Sequence, residues 1–486
     1  MSQNQKITDH AGRALIVDLD GTLIKTDMLM ESLMALLKQN FLACFLIPFW
    51  LLKGKAAVKN QIAKRVDLDV THLPYNEDVI DYIKQAKSEG RGCYLATGTV
   101  KSFAERIAEH LGFFDGVFAT ESEANLTGKD KCEHLNHTFG TGQYDYIGNS
   151  SVDLNVWNSV HTAIVVSSSD SLVSSAKKVA GNVEHIKIAK TSIKTWLKAI
   201  RVHQWVKNIL ITVPVLASHQ FDSSHILLVI LGFFAFSLAA SSVYVLNDLL
   251  DLESDRQHPS KCKRPFAAGS ISVIQGCILF PLLLLVAAAI SSLLPIKFML
   301  ALAVYYFLTL IYSFKLKRVI MLDTIMLAAL YTMRIIAGTV LISVEFSFWL
   351  LAFSMFIFLS LALVKRYTEL VMMKASGTLK TIGRGYHADD DNMIASLGAA
   401  SGYIAVMVFA LYVDSKAVTG LYESPPLLWL ACPILLYWIS RVWILAHRGE
   451  MDDDPIVFAV KDPQSLITGV CILAVFVVAT LVNVPI

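Results

Sequence analysis

Charge is scarce in this 486-residue chain: Asp, Glu, Lys and Arg together make up 17% of it, against about 25% in an ordinary soluble protein. So low a polarity excludes a disordered chain, which stays unfolded by being charged and poor in apolar residues. Neither sign dominates. The 42 Lys+Arg and 40 Asp+Glu leave a formal charge of +2, which argues against a dedicated nucleic-acid binder. Paired cysteines are also missing. The seven cysteines (Cys44, Cys93, Cys132, Cys262, Cys277, Cys432 and Cys471) form no CxxC motif, so neither a zinc site nor a disulfide framework is expected. What the chain does have is apolar mass, at 55% of its residues with a mean hydropathy of +0.53. A membrane protein, or a soluble domain joined to one, remains.

The average conceals two unlike halves. The polar start, MSQNQKITDHAGR, leads straight into a strand pattern, so no signal peptide is expected. Residues 1–190 read as a soluble α/β domain, 191–206 as an amphipathic juxtamembrane linker, and 207–486 as an all-α membrane domain. Nine apolar stretches lie near 207–218, 225–246, 271–294, 296–314, 319–342, 346–364, 393–413, 426–446 and 465–484. Most reach the ~20 residues a spanning helix needs; the first is short and holds Pro214.

The loops alternate in charge. Loop 247–270 carries Arg256, Lys261, Lys263 and Arg264; loop 314–318 carries Lys315, Lys317 and Arg318; loop 365–392 carries Lys365, Arg366, Lys374, Lys380 and Arg384; loop 447–464 carries Arg448 and Lys461. The intervening loops hold at most one cation each, Lys297 and Lys416. By the positive-inside rule the basic loops and the N-terminal half are expected in the cytoplasm, with the C-terminus outside, in a multi-pass protein of the cytoplasmic (inner) membrane. Within the soluble half, FLACFLIPFWLL (41–52) is apolar, too short to span, and interrupted by Pro48. It fits either a buried cap helix or a segment lying on the bilayer surface.

The stretch ALIVDLDGTL (14–23) sets four apolar residues before DLDGT. An acid at the carboxyl end of a strand suits a doubly wound sheet, whose sites lie there. Asp18 and Asp20 alternate along an extended backbone, and Gly21 permits a sharp turn. Two such carboxylates can share a hard cation, one attacking phosphorus while the other handles a proton. RGCYLATGT (91–99) brings Thr97 to a strand end, LTGKDK adds Lys129 and Lys131, and YDYIGNSSVD (144–153) places Asn149 and Asp153 after a further strand.

In this order and spacing the four pieces resemble the haloacid dehalogenase (HAD) phosphatase superfamily, over roughly residues 12–185 with a helical cap inserted at 24–80. The resemblance implies a Rossmann-like fold. It implies Asp18 as nucleophile, Asp20 as general acid/base, Thr97 on phosphate and Lys131 as the family's lysine, with Lys129 second to it. Magnesium would sit on Asp18, the Asp20 carbonyl and the last motif, Asn149 and Asp153. The family usually has Asp where this chain has Asn149, whose amide oxygen can ligate magnesium but adds no charge. A competent phosphatase and a degraded, structural or docking domain are both compatible with that departure.

The second apolar stretch ends in VYVLNDLLDLESDRQHPSKCKRPFAAGSIS (243–272), with Asp248, Asp251 and Asp255 at i, i+3 and i+7, one face of a helix. Carboxylates beside an apolar helix are expensive unless cations bind them. With Arg256, Lys261, Lys263 and Arg264 following, the pattern suits a magnesium-pyrophosphate. NDLLDLESDRQHPSKCKRP, Asn247 included, resembles the first aspartate-rich motif of the UbiA prenyltransferase superfamily, over about residues 195–486. The resemblance implies about nine transmembrane helices and a magnesium-dependent active site facing the cytoplasm.

The second motif of that family usually holds paired acids. Here YSFKLKRVIMLDTIMLAALYTMRIIAG (312–338) has only Asp323, with Tyr312, Lys315 and Lys317 before it and Arg334 after. Asp323 and Arg334 lie about three turns apart and share a helix face; an ion pair to a neighbouring helix is the structural alternative. Together with RVHQWVKNILI (201–211), LVKRYTEL (363–370), which holds Lys365 and Arg366, and the acidic loop with Asp452, Asp453, Asp454 and Asp462, this variant resembles the decaprenyl-phosphate phosphoribosyltransferase branch.

That branch implies transfer of 5-phosphoribose from phosphoribosyl pyrophosphate to polyprenyl phosphate, with magnesium on Asp248, Asp251 and Asp255. The HAD half is then expected to remove the 5-phosphate of the lipid product, for a lipid-linked ribose or arabinose donor. The competing expectation is a conventional prenyltransferase moving an isoprenyl chain from its diphosphate to an aromatic or other acceptor. The expected partners are the two substrates and the bilayer, with no nucleic acid and a homo-oligomer left open.

Overall fold

The computed structural model describes residues 12–120, 126–375, 385–415, 418, 420–451 and 454–482. The polar start before Gly12, and Lys380, Arg384, Lys416, Asp452 and Asp453, lie outside the described residues. The chain packs as two units: Met1–Ile200 with Val245–Leu279, and Arg201–Tyr244 with Phe280–Ile486.

The first unit is built on a parallel sheet, β1 (Ala14–Val17), β2 (Cys93–Val100), β3 (Gly116–Thr120), β4 (Tyr144–Gly148), β5 (Thr162–Ser167) and β6 (Asn182–Lys187), in the order β3-β2-β1-β4-β5-β6. Parallel sheets are covered on both faces, which is why β1 is a continuous apolar run. Its alternate residues feed two cores: Leu15 and Val17 pack with the cap-side cluster, Ile16 with Tyr144, Tyr146 and Trp157 on the other face. The register pairs Val17 with both Leu95 and Ile147. The carboxyl ends of β1, β2 and β4 therefore come to one edge, bringing the residues after them together.

Between β1 and β2 lie helices Met28–Gln39, Phe41–Leu46, Ile47–Leu51 and Lys55–Ala63, the expected cap, and then the crossover helix Glu77–Ser88. Asp27 caps the first of these, its side chain accepting from Met30 N. Loop 247–270 packs with the N-terminal unit, where its polar side chains find partners on the cap helix.

Eight helices among the described residues are long and apolar enough to cross a membrane: Ser223–Leu250, Val273–Ser291, Ile296–Phe314, Leu322–Leu341, Phe348–Ala375, Ala388–Val413, Pro425–His447 and Pro463–Leu481. The chain is an integral membrane protein. Expected stretch 207–218 differs. It forms a 3-10 helix, Val202–Thr212, followed by a six-residue α-helix, Val213–Ser218, with Pro214 in its first turn. Neither piece spans alone.

Ser223–Leu250, at 28 residues, measures about 42 Å at 1.5 Å per residue, beyond the ~30 Å apolar core of a bilayer. Its last turns, with Asn247 and Asp248, can therefore reach the interface. In the second unit Gly338 lies against the main chain of Ile211, where an added Cβ would sit 2.2 Å from the carbonyl oxygen. Small residues permit such approaches between membrane helices. Gly338→Ala is expected to cost about 1–3 kcal/mol through overpacking, read as a lowered Tm of the detergent-solubilised protein.

Candidate functional site

The strand ends of the first unit assemble a phosphoryl-type site. Asp18, directly after β1, is buried, and its Oδ1 accepts from Lys131 Nζ at 2.7 Å. Thr22 Oγ1 donates to its Oδ2 at 3.3 Å. Lys131, from helix Gly128–Phe139, also donates to Tyr146 OH at 2.9 Å, and Tyr146 donates in turn to Asp153 Oδ1 at 3.0 Å. Burial alone would lower the Lys131 ammonium, but Asp18 and Asp153 outweigh it and raise its pKa, so a fixed positive charge faces Asp18.

Asp153 is engaged locally. Its Oδ2 accepts from Asn149 N, Ser150 N and Ser150 Oγ at 2.9–3.1 Å, closing a capping box. Both of its oxygens are thus held by donors, and its charge acts on Lys131 through Tyr146.

Asp20 accepts from Met28 N at 2.8 Å and from Thr99 Oγ1 at 2.9 Å. Burial, then the neighbouring Asp27 and Asp18, push its carboxyl up to about 7. A carboxyl with that pKa can give and take a proton near neutrality. Thr97 is fully buried, its Oγ1 accepting from Thr99 N at 3.0 Å. Asn149 lies beside Gly21: with φ +75°, Gly21 takes a backbone that L side chains rarely adopt, and an added Cβ would meet Asn149 Nδ2 at 2.1 Å. The donors here, a carboxylate, main-chain carbonyls and an amide, are all oxygens, a set that suits magnesium.

The aspartate-rich segment is less convergent than a single helix face predicts. The spanning helix ends at Leu250, and Asp251 stands at the start of the short helix Leu252–Gln257 without a side-chain capping bond. Asp248 and Asp255, each 3% exposed, both accept from Arg264 Nη1, at 3.1 and 2.6 Å. Asp251 turns to Lys38 Nζ at 3.2 Å. Among the described residues no three His, Cys, Asp or Glu side chains are gathered as a ready metal cage. Two converging carboxylates remain an oxygen-only pair suited to magnesium.

Arg256, expected on pyrophosphate, forms a two-pronged pair with Glu31 at 2.6 and 3.1 Å and donates to Ala267 O. Burial pushes the Asp255 carboxyl above the ordinary carboxylate range, opposed by Arg264 and, more weakly, by Lys261. Lys263 is exposed, its carbonyl accepting from Lys198. Asn247 O accepts from Asp251 N.

In the second unit Asp323 and Arg334 share a helix but not a partner. Asp323, fully buried, accepts from Tyr386 OH at 2.6 Å and pairs with Arg366 Nε at 2.8 Å; Arg366 also pairs with Glu369. Tyr312 stands beside Arg366. Lys315 is exposed and Lys317 lies in the short 3-10 turn Leu316–Arg318. Arg334 donates to Asn208 Oδ1 at 2.8 Å, Leu330 O at 2.6 Å and Tyr305 OH at 3.1 Å, with the rings of Phe236, Tyr305 and Tyr331 5.1–5.4 Å away.

Lys207, 7% exposed, lies 5.8 Å over Tyr331 and pairs with Asp454, which Lys365 also faces. Burial pushes the Asp454 carboxyl up, but these two lysines outweigh it and hold it below the ordinary carboxylate range. Two lysines, one buried and one half-buried, thus share Asp454, and Arg334 lies near the same Tyr331 ring. Such a cluster can receive a polyanion.

Four groups escaped the sequence reading. Lys207 and Asn208 open the first apolar stretch, where an ionisable residue is a functional signal in its own right. Lys59, on the cap helix Lys55–Ala63, donates to Gly98 O at 2.6 Å and feels Asp20 and Asp27; nothing in its local sequence marks it. Glu31 looks like an ordinary first-turn helix acid, yet it is 3% exposed against Arg256. Removing one partner of a buried pair costs about 3–5 kcal/mol. Glu31→Ala should therefore lower Tm sharply, and Glu31→Ala/Arg256→Ala should lose less than the sum of the two single changes, as a double-mutant thermal-unfolding cycle would show.

Comparison with known proteins bears on both units. Residues 209–461 match the UbiA prenyltransferase family, and residues 15–155 match the haloacid dehalogenase-like hydrolases. The chain is 40% identical to the uncharacterized protein y4nM of Sinorhizobium fredii, over 96% of this chain and 90% of that one. It is 36% identical to nodulation protein NoeC of Azorhizobium caulinodans, over 59% of this chain and 92% of that one. It is also 36% identical to decaprenyl-phosphate phosphoribosyltransferase of Mycobacterium tuberculosis, over 53% of this chain and 86% of that one. The aspartate-rich helix end, the buried cations and the eight apolar helices thus sit in a chain that belongs to the UbiA prenyltransferase family and carries a haloacid dehalogenase-like domain at its N-terminal end.

Proposed function

We propose that the membrane domain transfers 5-phosphoribose from phosphoribosyl pyrophosphate to a polyprenyl phosphate on the cytoplasmic side of the inner membrane, and that the HAD-like domain then removes the 5-phosphate. The observation that carries the reading is the cation-rich interior of the membrane domain: Lys207 and Arg334, both buried, lie by the Tyr331 ring, and Lys207 pairs with Asp454, which the half-buried Lys365 also faces. A donor bearing a pyrophosphate and a further phosphate supplies the negative charge this set lacks. The similarity to decaprenyl-phosphate phosphoribosyltransferases supports the same donor.

Asp248 and Asp255, the two carboxylates that converge, are the residues that would hold magnesium, which when bound neutralises charge on the departing pyrophosphate, and Asp251 would join them only by leaving Lys38. Lys207, Arg334 and Lys365 grip phosphate oxygens and orient the donor. The C1–O bond to pyrophosphate breaks, and a lipid phosphate oxygen forms the new bond at C1. Such a ribosyl centre needs no protein nucleophile. Lys261 and Lys263 follow the aspartate-rich segment, and Lys315 and Lys317 follow helix Ile296–Phe314; as basic loop residues each pair would attract anionic substrates.

In the HAD-like domain Asp18 attacks the 5-phosphate, and Asp20 protonates the leaving C5 oxygen. Water then attacks the aspartyl-phosphate, with Asp20 taking its proton. Lys131 and Thr97 hold the phosphoryl group, and Asp18, the Asp20 carbonyl and Asn149 would hold magnesium.

The alternative donor, an isoprenyl diphosphate, is disfavoured by Asp323. The one acid of the second motif is already taken by Arg366 and Tyr386.

Full-length protein given phosphoribosyl pyrophosphate, polyprenyl phosphate and magnesium should yield polyprenyl-phosphoryl ribose by mass analysis. Asp18→Asn should stop at the 5-phosphorylated lipid. Unchanged phosphate release in Asp18→Asn would sink the second step. Isoprenyl diphosphate consumption with phosphoribosyl pyrophosphate untouched would sink the first. Arg334→Ala should lower transfer about 10²-fold or more, as expected for a lost charge-assisted phosphate contact, in assays of pyrophosphate release.

A further inference from the structure

The cap presents its apolar residues outward. Along Phe41–Leu52, Ala43 and Trp50 are buried, while Leu42, Phe45, Phe49 and Leu52 are 76%, 65%, 65% and 86% exposed. Exposed large apolar side chains on so short a segment mark a surface that something covers. The helical part, Phe41–Leu51, is about 20 Å long, too short to cross a bilayer.

The charge around it has one sign. From Ser32 to Val66 the chain holds six cations, Lys38, Lys53, Lys55, Lys59, Lys64 and Arg65, and no acid. Lys38 and Lys59 point to internal partners, Asp251 and Gly98 O. Lys53, Lys55, Lys64 and Arg65 are exposed, and the Arg65 guanidinium lies 4.8 Å over Trp50, next to the apolar face.

This cap is also tied to a membrane connection. Val245–Leu279, in the same unit, joins spanning helix Ser223–Leu250 to spanning helix Val273–Ser291. The cap helix grips it through Glu31–Arg256 and Lys38–Asp251, and Gly269 packs against Lys25 and Pro74 at the cap's base.

We infer that the Phe41–Leu52 face of the cap lies in the headgroup–acyl boundary of an anionic leaflet, with Lys53, Lys55, Lys64 and Arg65 on lipid phosphates. Apolar burial and electrostatic attraction add in such a segment, and each cation near an anionic surface contributes about 1 kcal/mol. A second copy of the chain is the poorer occupant, since a two-fold contact would set the same four cations against one another. The inference rests on the cap and is independent of either proposed chemistry.

The test uses full-length protein in nanodiscs of anionic phospholipid, with a photoreactive benzophenone amino acid replacing Phe45, Phe49, Leu52 or, as control, the exposed Lys84 of helix Glu77–Ser88. All four sites are exposed, and an unchanged Tm certifies each variant. Lipid adducts several-fold more abundant at 45, 49 and 52 than at 84, and reduced in zwitterionic nanodiscs, are expected. Adducts joining two copies, or lipid yields equal to that at 84, overturn the contact. A yield unchanged in zwitterionic lipid overturns the part given to the cations. Repeating the crosslink with Asp18→Asn separates this result from the phosphatase reading.

Discussion

A charge taken out of water must find a partner, and this protein is arranged around that requirement. An isolated ion in a low-dielectric interior costs several kcal/mol even after relaxation. Most of the buried charges meet the demand with an opposite charge in their own unit. Asp18 faces Lys131, Asp248 and Asp255 share Arg264, Glu31 takes Arg256, Asp323 takes Arg366, and Lys207 takes Asp454. Arg334 is different: its partners among the described residues are neutral, an amide, a carbonyl, a phenol and aromatic faces. A cation left in that company is where an incoming anion gains most.

The same rule separates residues that build from residues that wait. Asp153 and Arg256 carry the right chemistry for metal and phosphate, yet their hydrogen-bonding capacity is spent on a capping box and on Glu31. Asp20, by contrast, sits among Asp18 and Asp27 with its carboxyl pushed up to about 7, which equips it for proton transfer. Asp248 and Asp255 lie between these extremes, both held by Arg264.

One helix joins several of these roles. Met28–Gln39 offers its first N–H to Asp20, Glu31 to Arg256 and Lys38 to Asp251. Local geometry in the phosphoryl site and local geometry in the aspartate-rich segment therefore depend on the same two or three turns. A 40% identical relative aligned over 96% of the chain keeps both halves together, in keeping with that dependence.

Period and composition by themselves determined a good deal. Four apolar residues before DLDGT read as a buried parallel strand ending in a site, and ~20-residue apolar runs read as spanning helices. Both signals are local, so no knowledge of distant neighbours was needed. The order of motifs in the first half and the NDxxDxxxD pattern were legible for the same reason. What only the tertiary structure decided is who meets whom. Asp323 and Arg334 share a helix face in sequence, yet each is claimed by a different helix. Asp248, Asp251 and Asp255 share a spacing, but the helix breaks at Asp251 and one carboxylate turns to the cap. Lys59 and Glu31 look like solvated charges until the cap folds over the strand ends. Pairing of buried charge is set by distances across tens or hundreds of residues, and that information is absent from any single stretch of the chain.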